Sequence, residues 1–384
     1  DHRDLHYPLR RQRQMCIRDS KSISPSDMGC FDLIENELKK LNFKCERINY
    51  QNVENLYATI GNSGKLFCYL GHTDVVPSGP EGKWSYPPFS ATIEGDVLYG
   101  RGAADMKSSV AAFVEAAKDF INANEKLNFK LAILLTSNEE GTSKDGFIDK
   151  IIEKMIEDNE IIDFCLVGEP TSSEKVADCA RIGRRGSLGG CLKIFGKQGH
   201  VAYPEKVINP ILLSGDLISK LKNKVWDDGN EAFDPTSFQI SNISSGTGAH
   251  NVVPGELELT FNFRFSTEST EDSLKFEFES ILKDLELDYE LSWDLNGNPY
   301  YTKDNFFKDI VCASSEEITG YKPELNAKGG TSDGRFVAAM NTEIVELGPV
   351  NKSIHQIDEH VSVDELWKLK DIYEKILINL NQSL

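Results

Sequence analysis

Four short apolar runs in this chain each end at a histidine or a carboxylate, and that pattern narrows the folds open to it. Leu66-Phe67-Cys68-Tyr69-Leu70 leads into Gly71-His72-Thr73-Asp74. Leu131-Ala132-Ile133-Leu134-Leu135 leads into Thr136-Ser137-Asn138-Glu139-Glu140. Phe164-Cys165-Leu166-Val167 leads into Gly168-Glu169-Pro170-Thr171, and Ile344-Val345-Glu346-Leu347 into Gly348-Pro349 and then His355. Nearly continuous apolar runs mark strands covered on both faces, as in parallel sheets. Open α/β sheets bind ligands in the crevice beyond the carboxyl ends of their strands. One site can therefore collect His72, Glu139, Glu140, Glu169 and His355. Imidazole nitrogen and carboxylate oxygen are zinc ligands, and this set is enough for more than one ion.

At 384 residues the chain is too long for one ordinary core, so two domains are expected. The formal net charge of −19 argues against nucleic-acid binding, which needs a basic face. It leaves room for an anionic small substrate, because a local Arg cluster can override the global field. No apolar stretch approaches the roughly 20 residues that span a bilayer, so no membrane association is expected. The eight cysteines form no C-x-x-C pair, and Cys68 and Cys165 lie inside apolar runs where cysteine serves as a small core residue. A reducing cytoplasm without disulfides is the expected compartment.

Residues 1–19 do not match the rest. They carry five arginines and no lysine, show no helical or strand period, and lack the apolar centre of a signal peptide. A non-native or disordered leader is expected there, with a basic targeting peptide as the alternative.

Beyond it, Cys30–Leu41 has apolar residues at helical spacing, and Asp105–Phe120 and Gly146–Asp158 read as further helices. Near residue 180 the pattern changes. Strands are expected at Ser187–Phe195, Ser237–Ile243, Glu256–Phe265 and Asp288–Trp293, and helices at Asn209–Lys224 and Thr270–Leu285. Glu256–Phe265 alternates strictly between apolar and polar, as a half-buried antiparallel strand does. This β-α-β-β-α-β order is that of a ferredoxin-like α+β unit. The expected organisation is an α/β domain from residues 20–180 and 297–384, with residues 181–296 inserted as the α+β unit.

Each chemical candidate has a plainer counterpart. Asp74 is placed to accept the second ring N–H of His72 and so fix its tautomer, yet an isolated H-x-D is more often a surface loop. Asp105, in Gly100-Arg101-Gly102-Ala103-Ala104-Asp105-Met106-Lys107, reads either as a helix N-cap or as a carboxylate bridging two metals. Of the adjacent Glu139 and Glu140, one can bind metal while the other acts as general base. The alternative is a solvated acidic turn. His360 competes with His355 as a ligand, although the loop after the strand favours His355. Arg184-Arg185-Gly186-Ser187, Arg264 and Gly329-Gly330-Thr331-Ser332 suit carboxylate binding, through guanidinium forks and backbone N–H groups. Gly61-Asn62-Ser63-Gly64-Lys65 lacks phosphate-loop spacing and precedes a strand, so a phosphate loop is rejected.

These residues resemble a known family. From about residue 21 onward the chain is similar to the succinyl-diaminopimelate desuccinylase family, within the di-zinc aminoacylase and carboxypeptidase superfamily. The matching segments include Gly71–Pro77, Tyr99–Lys107, Thr136–Gly141, Val167–Thr171, Gly183–Ser187, Gly199–Pro204, Asn251–Pro254 and Gly329–Arg335. The resemblance implies a di-zinc peptidase-like catalytic domain with an inserted dimerisation or lid domain. It implies two Zn2+ per chain, with Co2+ as a substitute. His72 and Glu169 would hold one ion, Glu140 and His355 the other, and Asp105 would bridge them through a loop with a cis Asp105–Met106 peptide.

It further implies Glu139 as the base, and a homodimer in which His200 reaches the partner's site; Asp74 counts as catalytic through its hold on His72. Arg184, Ser187, Asn251, Arg264, Gly330 and Thr331 would contact an anionic substrate. The reaction implied is hydrolysis of N-succinyl-LL-2,6-diaminopimelate to succinate and LL-2,6-diaminopimelate, in lysine and diaminopimelate biosynthesis. His250 stands where the family often has Asn, and Asp358-Glu359-His360-Val361 departs from the family's usual tail. An acetylornithine deacetylase, another aminoacylase or dipeptidase, and a catalytically inactive scaffold are the rival readings.

Overall fold

A computed structural model of the chain describes residues 21–141 and 147–384. The leader expected at 1–19 lies outside the described residues. In chain order the main elements of the first half are α1 (Cys30–Lys40), β1 (Lys44–Arg47), β2 (Asn55–Ile60), β3 (Leu66–His72), α2 (Ser108–Ala123), β4 (Lys130–Thr136), α3 (Phe147–Glu157), β5 (Phe164–Val167) and β6 (Cys179–Arg181). They are followed by β7 (Gly186–Phe195), α4 (Pro210–Asn223), β8 (Ser237–Ser245), β9 (Glu256–Phe265), α5 (Glu271–Asp284) and β10 (Tyr289–Gly297). The chain closes with α6 (Phe306–Thr319), β11 (Glu324–Asn326), β12 (Glu343–Glu346) and α7 (Val363–Ser383). It divides into two compact units. The first holds residues up to 182 with Thr302–Asn326 and Ser332–Leu384, and the second Gly183–Tyr301 with Ala327–Thr331.

The first unit is built on an eight-stranded mixed sheet of order β1-β2-β4-β3-β5-β12-β6-β11. At its centre β4, β3, β5 and β12 run parallel. These are the four apolar runs, and every residue of β3 and β5 is buried. Phe67 and Tyr69, two apart on β3, share a face. Tyr69 stacks on Phe113 of α2 with ring centroids 4.0 Å apart and meets Tyr373 of α7 edge-on. Phe67 meets Phe307 of α6 at 5.7 Å. Each such buried aromatic is worth about 1.5–3 kcal/mol relative to exposure.

The register then aligns the strand ends: His72 pairs with Thr136, Leu70 with Val167, and Glu346 with Val167. The residue after each run thus emerges at one edge of the sheet. A helix was expected from Asp105, but α2 begins at Ser108. Asp105 has φ −121 and ψ 96, outside the helical region, and the peptide to Met106 is cis. The residue that precedes α2 is Lys107, and the Asp105 carboxylate faces His72 and His355 instead of capping the helix.

The second unit is a four-stranded antiparallel sheet of order β8-β9-β7-β10 with two helices on one face, a ferredoxin-like arrangement. Leu257, Leu259, Phe261, Phe263 and Phe265 of β9 point into a core with Leu217 and Leu221 of α4 and Leu274, Phe278 and Leu282 of α5. Gly190 of β7 permits this packing, since a Cβ there would lie 2.4 Å from the Phe261 ring. Asn209 and Thr270 cap the two helices with their side-chain oxygens. β8 is an edge strand and mostly exposed. Among the described residues no helix is long and apolar enough to cross a membrane, and the seven described cysteines form no disulfide with one another.

Candidate metal centre

His72 is the last residue of β3, and its ring is buried. Its Nε2 lies 3.2 Å from Asp105 Oδ1 and 3.8 Å from Glu169 Oε1. Its Nδ1 lies 3.0 Å from the Asp74 carbonyl oxygen and 3.5 Å from the Asp74 carboxylate. That side of the ring is thus held, which leaves Nε2 for the site. Asp74 does more than orient the histidine. Its two carboxylate oxygens accept the backbone N–H groups of Glu139 (3.1 Å) and Glu140 (3.0 Å), so one buried anion positions both glutamates after β4. Ser24 Oγ donates to the same carboxylate. The segment carrying Ser24 runs beside Thr73–Val75, and Ser22 Oγ donates 2.8 Å to Thr73 O.

Asp105 turns its two oxygens to two different imidazoles: Oδ1 to His72, and Oδ2 to His355 Nε2 at 3.3 Å. His355 Nε2 also lies 2.7 Å from Glu140 Oε1. His355 sits in the left-handed region, with φ 60. His360 is placed elsewhere. It opens a short strand paired with Val97–Tyr99, its Nδ1 contacts Asp358 O at 2.7 Å, and its ring lies by Tyr99.

One ligand atom from each of His72, Asp105 and Glu140 falls within 4.8 Å of the others, and the same holds for His72, Glu139 and Glu169. Four carboxylates thus surround two imidazoles. The electrostatics show the deficit of positive charge. Loss of water pushes Glu139 up to about 8 and Glu169 well above the usual carboxylate range. Burial opposes the ionised form of Asp105 too, but its hydrogen bonds to His355 and then His72 hold it below that range. Hydrogen bonds to Asp105 and Glu140 raise His355 to about 10. His72 is raised as well, because its bonds to Asp105 and Asp74 outweigh a desolvation that favours the neutral ring. Nitrogen and oxygen donors in this number, with an uncompensated negative charge, are a donor set for divalent cations.

The remaining sequence candidates lie in the second unit and fall into three groups. Arg184 is buried, and its Nη1 donates to Gly330 O at 3.0 Å, beside Thr331. Ser187 on β7 is the direct cross-strand partner of Arg264 on β9. Burial, and then the like charge of Arg185, lower the pKa of Arg264. His200 is exposed and lies on a two-stranded ribbon opposite Val252, next to Asn251.

Two residues near the centre gave no sequence signal of their own: Ser24 on the Asp74 carboxylate and Glu359 behind Asp105. Asp333, whose charge acts on Glu139, entered the sequence reading only as part of the Gly329–Arg335 segment. Glu359 stood out in the sequence only as part of an unusual tail.

The family model for peptidase family M20/M25/M40 matches residues 68–379. A relative from Alkalilimnicola ehrlichii is 48% identical over 360 residues, and one from Hydrogenovibrio crunogenus is 50% identical over 363. Each alignment covers 94% of this chain and 96% of the relative, and both relatives are named succinyl-diaminopimelate desuccinylase. An M20 family metallo-carboxypeptidase from Sulfolobus solfataricus shares the fold, with a TM-score of 0.80 over 99% of both chains at 20% identity. The chain belongs to peptidase family M20/M25/M40, and is a metal-dependent hydrolase of mixed α/β fold.

Proposed function

We propose that the chain hydrolyses N-succinyl-LL-2,6-diaminopimelate to succinate and LL-2,6-diaminopimelate, in diaminopimelate and lysine biosynthesis. The observation that carries the substrate is the near-half identity, end to end, to relatives named for that activity. In this reading His72 and Glu169 hold one Zn2+, Glu140 and His355 the second, and Asp105 bridges them. Co2+ is an expected substitute.

When bound, the ions supply Lewis acidity and the positive charge that the carboxylates lack. In this reading Glu139 is the one glutamate of the group left without a metal to hold, and its carboxylate lies within reach of the same site, as a general base must. It takes a proton from the attacking water. As the C–N bond breaks, it delivers that proton to the leaving amine. Arg184 and Arg264 are the candidate partners of the succinyl carboxylate, with Ser187, Asn251, Gly330 and Thr331 completing the substrate contacts and His200 donating to the carbonyl oxygen. The exposed edge strand β8 supports a homodimer through the second unit. Described cysteines that form no disulfide with one another support a cytoplasmic location.

The deciding experiment is a side-by-side assay of N-succinyl-diaminopimelate, N-acetylornithine and a dipeptide with metal-loaded protein. The succinylated substrate should lead in kcat/KM by at least tenfold. A lead for either competitor would replace this substrate with that one.

A further inference from the structure

Glu359 has no exposed surface, and its carboxylate is saturated with donors. Oε1 accepts the backbone N–H groups of Ala104 (2.8 Å) and Asp105 (3.0 Å). Oε2 accepts the Gly102 N–H (3.1 Å) and Arg101 Nη1 (2.6 Å). A carboxylate has about four acceptor positions, and here all are used. The main chain of Glu359 is tied to the same loop, since Gly100 N donates to Glu359 O at 2.9 Å.

The loop so held is irregular. Gly102 has φ 81, and Asp105 and Met106 depart from helical angles. Its own main-chain bonds include Ala103 N to Gly100 O and Lys107 N to Gly102 O, both 3.0 Å, while the Ala104 and Asp105 N–H groups go to Glu359. On the other side, Glu359 lies four residues after His355, and the turn between them is closed. Ser353 Oγ donates 2.8 Å to His360 O and accepts the His360 N–H at 3.0 Å. Asp358 accepts from Ser85 N (2.7 Å) and Ser85 Oγ (2.8 Å). One rigid turn therefore carries an imidazole facing Asp105 Oδ2 and a carboxylate gripping the Asp105 main chain.

We propose that Glu359 is a positioning residue that sets the metal position between Asp105 and His355, by fixing the Asp105 loop against the turn that carries His355. This inference rests on the reading of Asp105 as the bridging ligand. It predicts a selective effect. The site of His355 and Glu140 depends on the clasp from both sides, whereas His72 and Glu169 stand at the ends of β3 and β5 and are held by the sheet.

The test is a titration of metal-stripped protein with Co2+, read by calorimetry and by the d–d absorption of each bound ion. Wild type should take up two equivalents. Glu359→Gln keeps the shape but turns an NH2 toward donors. Its second equivalent should weaken at least tenfold, in line with the loss typical of groups that orient ligands, while the first stays within about threefold of wild type on that same scale. Glu359→Asp keeps the charge for Arg101 but falls short of the amides, and should lose the second ion too. Rescue by Glu359→Asp, equal weakening of both ions, or no change in either would overturn the proposal. Wild-type protein that binds a single ion would instead overturn the bridged pair itself.

A measurement that needs no variant is amide exchange of metal-stripped wild type. Gly102, Ala104 and Asp105 should already be protected before metal is added. Fast exchange that slows only with metal would show that the ions, and not Glu359, order the loop.

Discussion

Gly168 precedes Glu169 where β5 ends, and the structure leaves no room for a side chain there. A Cβ would lie 2.0 Å from Tyr69 Oη, 2.5 Å from Ser109 Oγ and 2.6 Å from Met106 Cε. Met106 can move, but Tyr69 cannot. It is fully buried, stacked on Phe113, and its hydroxyl is 3.0 Å from Ser109 Oγ. Ser109 Oγ in turn lies 2.7 Å from Tyr373 Oη, which donates 2.6 Å to Leu347 O. Gly168→Ala therefore overpacks a closed hydrogen-bonded chain, and should cost about 3 kcal/mol, the upper part of the usual range, because the obstructing atoms are held from behind. Tyr69→Phe removes the nearest obstruction and one hydrogen bond, for about 1 kcal/mol.

The two changes should not add. With the hydroxyl gone the alanine methyl has somewhere to go, and the double variant should be at least about 1 kcal/mol more stable than the sum of the singles. Rescue stays partial, because Ser109 and Met106 remain close. The assay is a thermal or urea melt of the wild type, both singles and the double, all metal-stripped so that ligation does not mask the effect. Additivity within about 0.5 kcal/mol, or a Gly168→Ala cost below that same level, would refute the steric account of this glycine.

Glu139→Gln should abolish turnover yet leave the metal content intact, whereas Glu140→Gln should lose metal; elemental analysis beside an activity assay checks both, and reversed phenotypes would exchange the two roles. The metal-stripped protein should lose stability as pH rises. Glu139 has its folded pKa raised from 4.5 to about 8 and His355 from 6.5 to about 10, so the folded state binds more protons in both windows, and the stability present at low pH is lost through each folded value. A melt series from pH 5 to 10 should slope downward across roughly that span, and His355→Gln should flatten its alkaline part. Mixing Glu139→Gln chains with His200→Ala chains, each inactive alone, should restore activity if His200 serves the partner's site. No recovery after verified subunit exchange would place His200 within its own chain or outside the reaction.

The parallel centre of the sheet was legible because its strands are apolar on both faces, so four runs could be recognised without any long-range information. The second unit was legible for the opposite reason. Strict alternation in β9 fixes which face is buried, and the β-α-β-β-α-β order fixes the pairing. Legibility fell where the backbone is irregular. Asp105–Phe120 has the composition of a helix throughout, and composition does not register that three of its residues are taken out of the helix to aim Asp105. Likewise His355 and His360 both follow β12, five residues apart. Only a closed turn with two left-handed residues, His355 and Asp358, decides which imidazole faces Asp105.

The residues left unseen share one property. Ser24 and Glu359 act on partners 50 and 254 residues away. The Glu359 contacts are almost all to backbone N–H groups, which every residue but proline carries, so no pattern of side chains can announce them. Asp74 is the instructive contrast. Its grip on the Glu139 and Glu140 amides is just as much a backbone contact, and the sequence offered only its proximity to His72. That proximity suggested a tautomer-fixing role and missed the larger one. In this centre, then, the proposed ligands are written as side-chain types at or near strand ends, while two buried carboxylates, Asp74 and Glu359, hold the main chain beside them. Loss of either should disturb geometry before chemistry. Their variants would be told from Glu139→Gln by weakened metal binding, which Glu139→Gln leaves intact.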